Sequence, residues 1–176
     1  MKGKHMVFLS SLQPGHLIKR YKRFLADITL DDGQTITAHC PNTGAMQGLI
    51  EPGSRVWVSF SPASTRKYPY TWEMWGEEGA LIGVNTHLPN RLVQEALEAE
   101  AIPELRGYTS VRREVRYGHN SKIDFLLEKP GILPCYVEVK NVHYQEKGVA
   151  LFPDSPTTRG QKHMDELTAL VAKKQA

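Results

Sequence analysis

Asp124, Glu138 and Lys140 are the residues whose types and spacing could do chemistry together. Glu138 and Lys140 lie two apart in Cys135-Tyr-Val-Glu-Val-Lys-Asn-Val142, which reads as a β-strand, and alternate residues of a strand share a face. Asp124 lies in a second strand pattern, Ser121-Lys-Ile-Asp-Phe-Leu-Leu-Glu128. There Ile123, Phe125 and Leu127 share one face, and Lys122, Asp124, Leu126 and Glu128 share the other. The connection between the strands carries Pro130 and Gly131 and predicts an antiparallel hairpin. A hairpin symmetric about Gly131 sets Asp124 directly opposite Glu138.

Two opposed carboxylates destabilise a sheet unless something offsets them. A divalent cation would do so, because Mg²⁺ typically takes one or two carboxylates and keeps waters that a phosphate can displace. Lys140, one pleat along, would orient or activate the attacking water or neutralise charge developing on the phosphate. The pattern therefore suits metal-assisted phosphodiester hydrolysis with Mg²⁺ or Mn²⁺ as cofactor. A second reading stays open, in which one side of the hairpin is wet, Glu138 and Lys140 are solvated charges, and Asp124 pairs with Lys122 or an Arg.

Three more residues are candidates on similar terms. Glu95 is either a further metal-binding acid or a solvated helix residue. Gln161 and Lys162, at the start of the last helix, would contact a phosphate. Alternatively, Gln161 only completes a capping box with Thr158.

The elements around these residues divide the chain. Residues 14 to about 84 read as β-rich: strand patterns from Gly15 to Leu30, the turn Asp31-Asp-Gly33, the alternating Gln34 to Cys40, then Ser54 to Phe60, Tyr70 to Gly76 and Gly79 to Val84. About five short strands of this kind predict a small barrel of the OB type. Beyond Val84 the period changes. Leu92, Val93, Ala96 and Leu97 form one helical stripe, with Pro89 in the first turn. Strand patterns follow, and then a helix from Thr158 with Met164, Leu167 and Val171 as its expected core stripe. The expectation is an α/β (α+β) chain with domains at 1–83 and 84–176.

The 176 residues carry 22 Lys and Arg against 19 Asp and Glu, a net charge of +3 that permits nucleic acid without demanding it. The densest basic run, His16 to Phe24, interleaves Lys19, Arg20, Lys22 and Arg23 with Tyr21 and Phe24. It reads as a backbone-phosphate footprint or as a charged edge strand. Arg66, Lys67, Tyr68 and Trp72 would extend it, the aromatics stacking on bases. Trp57, Trp72 and Trp75 also admit a sugar-stacking platform, although strand aromatics are more often core. Cys40 and Cys135 form no CxxC pair and no disulfide framework, which suits a reduced cytoplasmic protein. His39 beside Cys40 lacks a second ligand pair and makes a poor metal site. The N-terminal apolar stretch is too short for a signal sequence, and no stretch approaches a membrane span.

Seven blocks carry a resemblance: LIKRYKRFLAD, HCPNTGAM, RKYPYTWEM, GVNTHLPNRLV, YGHNSKIDFLLE, CYVEVKNV and ALFPDSPTTRGQKHMDEL. In this order, from about His16 to the C-terminus, they resemble the sugar fermentation stimulation protein A (SfsA) family. The resemblance implies an N-terminal OB-like domain and a C-terminal PD-(D/E)xK nuclease-like domain, restriction-endonuclease-like with a mixed sheet and flanking helices. It also implies non-specific binding of DNA, with RNA as a further substrate, a link to sugar (maltose) metabolism, and a nuclease core of Asp124, Glu138 and Lys140. Glu95 and Gln161 would take the places of an additional acid and a helix glutamine. Ile123 stands where the motif has proline. Similar proteins continue beyond this last helix, so a truncated sheet lacking a strand is expected. Three functional readings remain, an active nuclease, a non-catalytic DNA-binding regulator and, resting on the family name, a sugar-binding module.

Overall fold

The protein is described from a computed structural model over residues 11–62, 65–77, 79–118, 121–152 and 158–173. By internal contacts the chain forms two units. One is built from the strands up to Leu88 with Asn141 to Leu151, and the other from Pro89–Lys140 with the last helix.

In the first unit β1 (Gln13–Tyr21), β2 (Leu25–Leu30) and β3 (Thr35–His39) form an antiparallel meander, as do β4 (Arg55–Phe60), β5 (Tyr70–Glu77) and β6 (Ala80–Gly83). β1 pairs with β4, and β3 pairs in parallel with β5 through Ala38 with Tyr70 and His39 with Thr71. These contacts close five strands into an OB-type barrel, with β6 as an extension. Alternate residues fill its interior. Leu17, Ile28, Val56, Val58 and Trp72 are fully buried there, each branched aliphatic side chain contributing roughly 1.5–3 kcal/mol.

The stretch Gly15 to Leu30 is not one strand. Lys22 and Arg23 adopt left-handed φ values of 50° and 65°, and the chain reverses between Tyr21 and Leu25. The Asp31–Gly33 turn joins β2 to β3 as expected, with the Gln34 amide bonded to the Asp32 carboxylate at 2.9 Å.

The second unit is an α/β arrangement. Helix α1 (Pro89–Glu98) precedes an antiparallel meander of β7 (Ser110–Tyr117), β8 (Ser121–Glu128) and β9 (Cys135–Val137), and helix α2 (Thr158–Ala172) follows. Leu127 pairs with Cys135, Leu126 with Tyr136 and Phe125 with Val137, so the next opposed residues are Asp124 and Glu138. The hairpin register is the one symmetric about Gly131. The strand itself is shorter than its pattern suggests and ends at Val137. The stripe of α2 also differs from expectation. Met164 and Val171 are 61% and 63% exposed, while Leu167 and Leu170 pack on Tyr117, Ile123 and Leu126. The sequence period allows either stripe, and packing on the sheet selects the one that includes His163. A short hairpin, β10 (Tyr144–Glu146) with β11 (Val149–Leu151), belongs to the barrel's unit.

Candidate metal centre and nucleic-acid face

Strand β8 presents Asp124 half-buried, and both of its oxygens are engaged. Asn90 of α1 donates Nδ2–H to Oδ1 at 2.8 Å, and the backbone N–H of Val139 donates to Oδ2 at 2.7 Å. The second bond gives a local reason for the early end of β9, since the Val139 amide turns to a side chain instead of continuing the ladder.

Glu138 is more enclosed, with its side chain 11% exposed. The Lys140 ammonium donates to Oε1, and His163 Nδ1 lies 2.7 Å from the same oxygen. A carboxylate only accepts hydrogen bonds, so this contact requires the proton on Nδ1. Oε2 of Glu138 is buried without a hydrogen-bond partner, and an unsatisfied buried carboxylate oxygen is costly.

Tyr117, 7% exposed, stands beside these acids. Burial first, and then the charges of Glu138, Glu166 and Asp124, push its phenol up to about 12, so it remains an O–H donor at working pH. Its ring lies 5.8 Å from that of Tyr136. The carboxylate of Glu166, on α2, lies 3.9 Å from Lys162 and rests over Gly118. At φ +56°, a Cβ on Gly118 would come within 2.9 Å of that carboxyl carbon, so the absence of a side chain there makes room for the acid.

Asp124 and the open oxygen of Glu138 fit a divalent cation that keeps much of its water. Among the described residues no three His, Cys, Asp or Glu side chains form a complete metal cage.

The other residues singled out by sequence are placed as follows. The contact of α1 with Asp124 comes from Asn90, whereas Glu95 is half-buried about 140° further round the helix. Gln161 is exposed and Lys162 pairs with Glu166, so α2 reaches Glu138 through His163. On the barrel, Lys19 lies 3.6 Å from Asp27 and 5.4 Å from the Tyr21 ring. Arg20 donates to the carbonyls of Arg23, Asn42 and Gly44 at 2.7, 2.9 and 2.9 Å, and Arg23 to that of Thr43 at 3.1 Å. These two guanidinium groups therefore fasten a loop, leaving Lys22 exposed at the turn. Arg66 donates to Thr71 Oγ1 at 3.2 Å, and Lys67 sits 5.5 Å from the Tyr68 ring. Trp72 corrects the sequence reading. It is wholly buried, with Nε1–H bonded to the Met74 carbonyl at 2.9 Å, and has no face for a base or a sugar. Trp75 is 9% exposed, so no tryptophan platform forms from these two residues.

Asn90, Tyr117, His163 and Glu166 escaped the sequence reading. His163 and Glu166 share the period of Leu167 and Leu170, which is the signal that could have found them.

The fold and the carboxylate pair define a class of two-domain proteins in which an OB barrel is followed by a restriction-endonuclease-like α/β domain. A family model described as "SfsA N-terminal OB domain" matches residues 18–84, and one described as "Sugar fermentation stimulation protein RE domain" matches residues 87–176. The chain belongs to the sugar fermentation stimulation protein A (SfsA) family. It is 55% identical to a sugar fermentation stimulation protein homolog of Agrobacterium fabrum, over 92% of this chain and 68% of the relative. A Geobacter sulfurreducens homolog is 54% identical, with 94% and 71% covered. Pyrococcus furiosus SfsA, solved in complex with Ca²⁺, superposes with a TM-score of 0.81 at 28% identity, covering 96% of this chain and 71% of the other.

Proposed function

We propose that this protein is a divalent-cation-dependent nuclease that hydrolyses phosphodiester bonds of DNA or RNA without sequence preference. The observation that carries the reading is the state of Glu138: one oxygen is held by Lys140 and His163, the other is buried and unpartnered, and Asp124 stands opposite in register. A relative, Pyrococcus furiosus SfsA, was solved in complex with Ca²⁺, which is in keeping with divalent-cation binding in this family. A bound Mg²⁺ or Mn²⁺ would supply Lewis-acid polarisation of the phosphate. Asn90 and the Val139 amide fix the Asp124 carboxylate, and His163 fixes that of Glu138. Lys140, released from Glu138 when phosphate enters, places positive charge where the transition state gathers negative charge. Tyr117 stays protonated and keeps an O–H to donate. On the barrel, Lys19, Lys22, Arg66 and Lys67 supply sequence-independent phosphate contacts. The free thiols Cys40 and Cys135 suit a reducing, cytoplasmic setting.

Digestion of single- and double-stranded DNA and RNA with and without Mn²⁺ tests the reading. Cleavage should require metal and vanish in Glu138→Ala, and equal cleavage by wild type and variant overturns it. The direct Lys140–Glu138 ion pair favours a second reading, a DNA-binding regulator in which the pair is structural. That protein would bind DNA with steep salt dependence but show no cleavage and no metal uptake at millimolar Mg²⁺.

A further inference from the structure

One arginine and two histidine side chains gather on the outer face of the barrel at the end of β3. Ile36, Ala38 and Cys40 are buried inside, so His39 turns outward, where it is half-buried. His39 stands across the β3–β5 seam from Thr71, and Thr71 Oγ1 receives the Arg66 Nη2 bond at 3.2 Å. Thr86 donates Oγ1–H to the Pro41 carbonyl at 3.1 Å, which fastens the segment after β6 beside the end of β3 and carries His87 there. Arg66 and His87 are exposed. The His39 imidazole is held below its ordinary pKa by burial, then by the charges of Arg66 and His87, so all three act on one patch.

Among the described residues, no carboxylate forms an ion pair with any of the three. The acid nearest along β5, Glu73, is 5% exposed and already accepts from Ser59 at 2.6 Å and Asn85 at 2.7 Å. Like charges gathered without a counter-charge are unfavourable, and an anion binding among them relieves the repulsion. A guanidinium fork beside imidazole N–H donors matches a tetrahedral oxyanion.

We propose that His39, Arg66 and His87 form a phosphate-binding site on the barrel. Its ligand is a phosphate group, supplied either by a nucleic-acid backbone or by a free phosphorylated metabolite. The site shares no residue with the Asp124–Glu138 pair and does not depend on phosphodiester cleavage.

The test follows histidine ring signals of the full chain by NMR at about pH 5, well below the ordinary imidazole pKa of about 6.5. His39→Gln and His87→Gln assign the two rings. Inorganic phosphate at constant ionic strength should shift both rings saturably, and chloride should not. Arg66→Ala should weaken the phosphate response about tenfold, the effect of losing a charge-assisted hydrogen-bonding partner. Shifts that do not saturate, an equal response to chloride, or unchanged affinity in Arg66→Ala would each overturn the proposal. A hexose monophosphate and a short oligothymidylate are then titrated separately. Saturation by the oligothymidylate alone assigns the site to a nucleic-acid backbone, and saturation by the monophosphate alone assigns it to a metabolite. Tighter saturation decides if both bind, and response to neither overturns the site.

Discussion

His163 Nδ1 lies 2.7 Å from Glu138 Oε1, so helix α2 reaches the carboxylate that stands opposite Asp124. The contact makes His163 a positioning residue, because it sets which Glu138 oxygen is held and which is open. Such outer-shell partners commonly account for 10–100-fold in metal affinity. In His163→Ala, Mn²⁺ affinity measured by calorimetry should fall by about that factor while the barrel's thermal transition is unchanged. Unaltered affinity would count against the positioning role.

Asp124→Asn separates charge from hydrogen bonding. One amide oxygen can still accept from Val139 N–H, but the new NH₂ then faces the Asn90 NH₂, setting donor against donor. Losing one satisfied contact costs about 1–3 kcal/mol, read as a lower urea midpoint at constant slope. Metal binding should be lost as well. In Asp124→Asn/Asn90→Asp the donor and acceptor are exchanged, and stability should recover while metal binding stays weak.

Gly118→Ala is expected to be worse than Gly131→Ala. Both glycines have positive φ, at +56° and +84°, but a Cβ at 131 meets open space whereas one at 118 meets the Glu166 carboxyl. Each substitution carries the backbone cost of about 1–2 kcal/mol, and Gly118→Ala adds the displacement of Glu166. Thermal melts of the two variants compare the terms directly.

The raised Tyr117 phenol gives a signed pH dependence. Its folded pKa, about 12, lies above the ordinary value of 10.0, so the folded state holds the proton more tightly than the unfolded chain. The associated stability is fully present below about pH 10 and is lost as pH rises towards about 12. Denaturant midpoints measured across this range should fall more steeply for wild type than for Tyr117→Phe. Parallel curves would show that the phenol is not the group responsible.

Arg20 and Lys22 belong to one basic run but should separate by experiment. Arg20→Ala removes the donor to three carbonyls and should lower barrel stability by about 1–3 kcal/mol. Lys22→Ala, exposed at the turn, should leave stability unchanged, weaken DNA binding and reduce the salt slope by about one unit.

What was legible in the sequence was whatever local chemistry decides. Pro130 and Gly131 place the hairpin turn, and its symmetry opposes Asp124 to Glu138 with no knowledge of the rest of the fold. The Asp31–Gly33 turn and the alternating β3 are equally local. The inner face of a barrel is a tertiary property, because Tyr70, Trp72 and Met74 alternate with Thr71 and Glu73 in a way that names two faces without saying which one closes inward. Trp72 therefore read as a stacking surface although it is core. Asn90 and His163 reach the carboxylates across long sequence separations, and no spacing within α1 or α2 announces that. The outward Met164 has the same origin, since the helix period permits two stripes and only the sheet chooses between them.

The β3–β5 seam has a kinetic consequence. Each meander can form from neighbouring strands, but the seam joins Ala38 to Tyr70 and His39 to Thr71 across a long stretch of chain that includes β4, with these two residue pairs to offset the closure entropy. Non-local pairings of this kind form late in folding. The seam should therefore be the last part of the barrel to zip and the first to breathe, with amide exchange at His39 and Thr71 faster than at Ile28 or Val58. A phosphate held by His39 and Arg66 would bridge the two meanders and slow that exchange, acting as a clasp on the barrel's weakest join.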